Sequence, residues 1–182
     1  MRFSTLEPER MSPAQKRVYD AIVSGPRGGA RGPFNVLLRS PELADRVQKV
    51  GEYLRFNSSL PPRLNEFAIL VNARFWESKY EWYAHRPLAV KGGLAESIAD
   101  DLARNRRPAG MKPDEEVVYE FCTMLHRQHF VEGALFERRP GGAGGGRPHR
   151  GERLLHARLD GAERRRGPIA GRCAIAVVMH RP

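Results

Sequence analysis

The sequence predicts an all-α fold, and three observations carry that prediction. Helix-start signals recur along the chain: Ser12-Pro13, Ser40-Pro41-Glu42 and Pro113-Asp114 each place a capping residue or an acid beside a proline suited to the first turn. Apolar residues follow these starts at three- and four-residue spacing. Nowhere before residue 135 is there a convincing run of strand-like alternation.

The first helix runs from Ser12-Pro13 through Val18, Ala21 and Ile22 and is stopped by Gly25-Pro26. The stretch 25–33 (GPRGGARGP) reads as an exposed loop, a lid or a connector, because its glycines and prolines disfavour regular structure. A second helix opens at Ser40-Pro41-Glu42, where Leu43, Val47, Val50 and Leu54 share one face and are read most simply as core. After the break at 59–62, Leu64, Phe67, Ala68 and Val71 define a third helix, which carries Glu66. A fourth spans about Ser78 to Val90, with Pro87 inside or bending it, and ends at Gly92-Gly93. A short acid-capped fifth covers Ala95 to Ala103, and the sixth, from Pro113, turns Val117, Val118, Phe121, Met124 and Leu125 to one side.

A chain of 182 residues suits one domain with a real core. Its expected organisation is an N-terminal helix and loop at 1–33, a helical domain at 34–137 and a basic tail at 138–182. No run is long and apolar enough for a membrane span, and Met1-Arg2-Phe3-Ser4 lacks the apolar stretch of a signal peptide. A soluble cytoplasmic protein is therefore expected. The two cysteines, Cys122 and Cys173, form neither a disulfide framework nor a C-x-x-C pattern, and are read as buried or incidental.

The formal charge of +10 is unevenly placed. From Arg138 onward there are eleven arginines and three acids, while the first 137 residues hold 20 basic and 18 acidic side chains. A nucleic-acid partner is thus expected only through the tail, where Arg-rich sequence could bind polyanions by salt-sensitive contacts, and a non-catalytic polyanion-binding protein acting through that tail is one alternative to an enzyme. The tail's low apolar content cannot offset the entropy of ordering it, so it reads as disordered or loosely attached. Suitable codons for residues 151–163, read one nucleotide later, would instead encode an apolar helix-like sequence. A frameshift near residue 138 is therefore one hypothesis for the tail, and a natural basic extension is the other.

The densest cluster of chemically capable side chains lies between Glu66 and His85. Glu81 and His85, four apart, share a helical face, and Ser78 stands three before Glu81. A carboxylate beside an imidazole suits proton transfer near neutral pH, since the carboxylate orients the ring and fixes which nitrogen is free. The same spacing also fits an ordinary surface pair, with Tyr80, Trp82 and Tyr83 as packing aromatics. No metal is expected, because none of the six histidines stands in ligand spacing, and His126 and His129 lack a carboxylate partner.

The string Tyr80-Glu81-Trp82-x-x-His85, followed by Pro87, Ala89 and Gly93-Leu94 and preceded by Leu60-Pro61-Pro62-Arg63-Leu64-x-Glu66, resembles the carboxymuconolactone decarboxylase and alkylhydroperoxidase D-like family over roughly residues 30–135. The resemblance implies that family's helical fold and a homo-oligomer, trimer or hexamer, with the site near a subunit interface. In the alkylhydroperoxidase branch a glutamate, a C-x-x-C pair and a histidine form a thiol peroxidase. Matched to Glu66 and His85, that pattern puts Ser78 and Glu81 where the cysteines would stand. A hydroxyl has no redox ladder, so the disulfide-forming cycle cannot run there. The decarboxylase branch implies cofactor-free acid–base chemistry on a small organic acid or lactone. By the resemblance, His85 is the general acid or base, Glu66 its partner and Glu81 a second carboxylate. Arg86 and Arg74 are the candidates to hold a substrate carboxylate, with Tyr80, Trp82 and Ser78 lining the pocket.

Overall fold

Helix starts in this chain are built largely on proline. Pro13, Pro41, Pro62 and Pro113 each occupy the first turn of a helix, where the missing N–H costs nothing. The computed structural model describes residues 3–138. Among them lie eight α-helices and no strand, so the fold class is all-α. The helices are α1 (Pro13–Ser24), α2 (Phe34–Leu37), α3 (Pro41–Phe56), α4 (Pro62–Phe75), α5 (Lys79–Lys91), α6 (Glu96–Ala103), α7 (Pro113–Gln128) and α8 (Gly133–Glu137). They fall into two compact units divided between Ser59 and Leu60.

The first unit holds α1 to α3. Ser12 and Gln15 close a reciprocal capping box on α1, the Ser12 Oγ accepting from the Gln15 N–H and the Gln15 side chain accepting from the Ser12 N–H. A small core of Val18, Ile22, Phe34, Leu38 and Ala44 joins the three helices. The expected boundary at 33/34 therefore runs through this core, since residues on both sides of it pack together.

The expected core face of α3 is not the one that is buried. Leu43, Val47 and Val50 are exposed, and the helix instead buries Ala44 and Gln48, roughly a quarter-turn away. A one-methyl side chain at Ala44 brings the backbone close to its neighbours, which a row of Leu and Val would hold at greater distance. The short α2, α8 and a 3-10 turn at Pro8–Arg10 carry too few residues to show a period in sequence.

In the second unit α4 is central and packs against α5, α6 and α7. It buries Leu64, Phe67, Leu70, Val71 and Ala73, and these meet Ala89, Leu94, Ile98, Leu102, Val118 and Cys122 in one core. Of the apolar set expected on α7, Val117 and Val118 are buried, while Phe121, Met124 and Leu125 are half-buried. Arg63, at the start of α4, binds Asp114 at 2.6 Å and also Glu115, which ties it to the start of α7. Glu115 is almost wholly enclosed, and it also accepts a hydrogen bond from the Lys112 N–H. Burial works against a charged Asp114, but the Arg63 guanidinium overrides it and holds the carboxyl below its usual range.

Three successive helices end in the same paired hydrogen-bond motif. After α4, the Ser78 N–H reaches the Ala73 carbonyl and the Glu77 N–H reaches that of Arg74; equivalent pairs close α5 at Gly93-Leu94 and α6 at Asn105-Arg106. The residue that must turn left-handed is Glu77 (φ 51°), Gly93 (φ 99°) and Asn105 (φ 57°) respectively. Gly93 meets this demand without strain, as Gly92-Gly93 suggested in sequence. Cys122 is buried, as expected of it, whereas Cys173 and the basic tail beyond Arg138 lie outside the described residues.

Candidate acid–base site

The tight turn after α4 returns the chain alongside it as α5, so residues nineteen apart meet. Ser78 begins α5, its hydroxyl accepting from the Glu81 N–H at 3.5 Å, and so sets the position of the first turn. One turn further along, His85 projects toward α4. Its Nδ1 lies 2.6 Å from Oε2 of Glu66, and its Nε2 lies 3.3 Å from Oε2 of Glu81. The imidazole is thus held at both nitrogens by carboxylates from two helices.

The two carboxylates differ in surroundings. The Glu66 side chain is 9% exposed and that of His85 12%, but Glu81 is 39% exposed. The chain of groups therefore leads from solvent at Glu81 through His85 to the buried Glu66. Burial disfavours charge on His85, but the hydrogen bonds and attraction of Glu66 and Glu81 outweigh it and raise its pKa from 6.5 to about 9. At neutral pH the ring is an imidazolium donating from both nitrogens. On losing a proton it keeps Nδ1–H toward the buried Glu66, which leaves Nε2 as the nitrogen that exchanges protons.

The other sequence-predicted residues are placed differently. Trp82 packs half-buried against the core of its unit, and Tyr80 is exposed. Arg86 is engaged by Asp100 of α6 at 2.9 Å. Arg74 lies 3.9 Å from Glu77, and its Nε is enclosed with no hydrogen-bond partner among the described residues. Of the proposed set, Glu66, Glu81 and His85 are brought into direct contact, with Ser78 fixing the helix start beneath them.

A second polar cluster escaped sequence reasoning. Nε2 of His126 lies 2.7 Å from Oδ1 of Asn72, whose Nδ2 donates to the Ala68 carbonyl. The amide is thereby oriented, and Nε2 of His126 is the donor. The His126 ring stacks on Phe75 at 4.1 Å, and burial, followed by repulsion from His129, lowers its pKa. Its partner stands 54 positions away and is an amide, so no local spacing could signal it. Among the described residues no group of three or more His, Cys, Asp or Glu could hold a metal ion, and no helix is long and apolar enough to cross a membrane.

Comparison with models of known protein families, with curated proteins and with solved structures finds no match to this chain.

Proposed function

We propose that Glu66, His85 and Glu81 form the acid–base centre of a cofactor-free enzyme that decarboxylates a small organic acid or lactone, as the resemblance to carboxymuconolactone decarboxylases implies. The observation that supports this reading is the doubly held imidazole, protonated at neutral pH, with one carboxylate buried and the other open to solvent. Loss of carbon dioxide from an unsaturated acid leaves its electron pair on a dienolate, which must then take up a proton. The Nε2–H of His85 supplies that proton, Glu66 keeps the ring oriented through Nδ1, and solvent returns the proton. Ser78 and Glu81 carry no thiol, so a peroxidase-family relationship would be that of a non-redox relative.

The same resemblance supports a homo-oligomer, trimer or hexamer, and the exposed Leu43, Val47 and Val50 of α3 favour some assembly. Light scattering on the full chain tests it. For the chemistry, carbon dioxide release is measured over a panel of small unsaturated lactone acids with the wild type and His85→Ala. Turnover that falls at least a hundredfold in the variant is expected. No turnover across the panel, or turnover indifferent to His85→Ala, would sink the proposal.

A further inference from the structure

We infer that the exposed face of α3 is the seam of a two-fold interface with a second copy of this chain, in which the two α3 helices run antiparallel. Leu43, Val47, Val50 and Leu54 follow one another at intervals of four, three and four positions. That is the spacing of the a and d positions of a coiled coil, a narrower stripe than the broad apolar face by which a helix joins a globular core. The first three are exposed and Leu54 is half-buried. A different face, centred on Ala44 and Gln48, is the one that α3 buries where it packs on α1 and α2. The helix thus has two packing faces, and its own unit uses one.

The row is its own complement about a point midway between Val47 and Val50. In an antiparallel pair Val47 meets Val50 of the second copy and Leu43 meets Leu54, so that every layer joins an a to a d position. Two-fold symmetry repeats each contact, as a closed dimer requires. Beside the seam stand Arg46 and Tyr53, both exposed, at flanking positions that face each other across an antiparallel pair. The guanidinium of one copy then lies against the phenol ring of the other. The same order sets the first turn of one α3, with Glu42, beside the last turn of the other, with Arg55, whereas a parallel pair would bring like-charged ends together. From Leu43 to Leu54 the seam is only about 16 Å long at 1.5 Å per residue. An interface this short lies near the ~1,200 Å² lower bound of stable ones, so the dimer forms and dissociates over the micromolar range. The inference deepens the assembly reading above: it rests on the chain associating, but not on the trimer or hexamer.

Sedimentation of the full-length wild type and Val47→Glu from micromolar to millimolar concentration tests the seam, with circular dichroism and the His85 ring signals in NMR spectra checking that the variant folds. Val47→Glu is expected to weaken association at least tenfold, turning a dimer into monomers or splitting a hexamer into trimers. A trimer or hexamer of unchanged mass in Val47→Glu would overturn the inference and leave the family's assembly standing. A wild type that is monomeric throughout would overturn both, and a loss of stability in Val47→Glu would then show that the face is covered within its own chain. Orientation is read by mild oxidation in a Cys173→Ser background. Leu43→Cys mixed with Leu54→Cys is expected to form disulfide-linked pairs at least tenfold faster than Leu43→Cys alone, whose two sulfurs an antiparallel pair holds about 16 Å apart. Faster linking of Leu43→Cys to itself would overturn the antiparallel seam.

Discussion

Oε2 of Glu66 and Nδ1 of His85 are 2.6 Å apart although nineteen positions separate them in sequence, because the turn at Glu77-Ser78 lays α5 back along α4. The pair is shielded from water, whereas the second partner, Glu81, is not. Their removal should therefore cost very different amounts. Glu66→Ala leaves a buried imidazolium without its closer carboxylate and is expected to destabilise the protein by about 3 kcal/mol. Glu81→Ala removes a half-exposed partner and is expected to cost less than about 1 kcal/mol. Urea denaturation of both variants at pH 7 checks the order, and a larger loss from Glu81→Ala would contradict the assignment of Glu66 as the interior partner.

His85 also gives a signed pH dependence. Its folded pKa of about 9 lies above its ordinary 6.5, so the folded state binds the proton more tightly than the unfolded chain does. The stabilisation is fully present below about pH 6.5 and is lost as pH rises through about 9. The wild type should therefore lose more stability than His85→Gln between pH 6 and pH 9.5. Urea midpoints at the two pH values measure the difference, and parallel losses in the two proteins would show that His85 is not the titrating group.

The legibility of this architecture in sequence follows the range of the forces involved. Helix starts at Pro13, Pro41 and Pro113 and the stop at Gly92-Gly93 were readable because capping is decided within one turn. The pairing of Glu81 with His85 was readable for the same reason, since four positions on a helix fix a shared face. Spacing alone did not reveal the Glu66 contact, which depends on how α5 returns; there the family resemblance carried the expectation. The α3 stripe misled because period tells that a helix has an apolar face, while its neighbours decide which face is buried; Ala44 won over Leu43. Arg86 is expected from the resemblance to hold a substrate carboxylate, and only the fold brings the Asp100 carboxylate to it.

Arg63 is expected to be the most stability-critical charged side chain of the second unit. It bridges Asp114 and Glu115 and joins the starts of α4 and α7. Glu115 is 1% exposed, so Arg63→Ala strands a carboxylate in the interior. A loss of about 3–5 kcal/mol is expected. Arg63→Ala combined with Glu115→Gln should recover part of it, because the second change removes the stranded charge. Thermal or urea unfolding of the single and double variants tests this, and additive losses would mean that the two side chains do not act as a pair.

Glu77 offers the opposite outcome, a substitution that strengthens the fold. It occupies the left-handed position of the motif that ends α4, with φ 51°, where a Cβ is sterically disfavoured. The corresponding position after α5 is Gly93. The Glu77 side chain is 82% exposed and lies 3.9 Å from Arg74, a separation at which an open ion pair contributes little. Glu77→Gly should relieve the strained backbone at a smaller entropic cost in the unfolded chain, for a net gain of up to about 1 kcal/mol. A rise in the urea midpoint with an unchanged denaturant slope is the expected signature. A loss of stability would mean that the Glu77 side chain holds the α4–α5 turn through contacts worth more than the strain, and the His85 ring signals, which depend on that turn, should then shift as well.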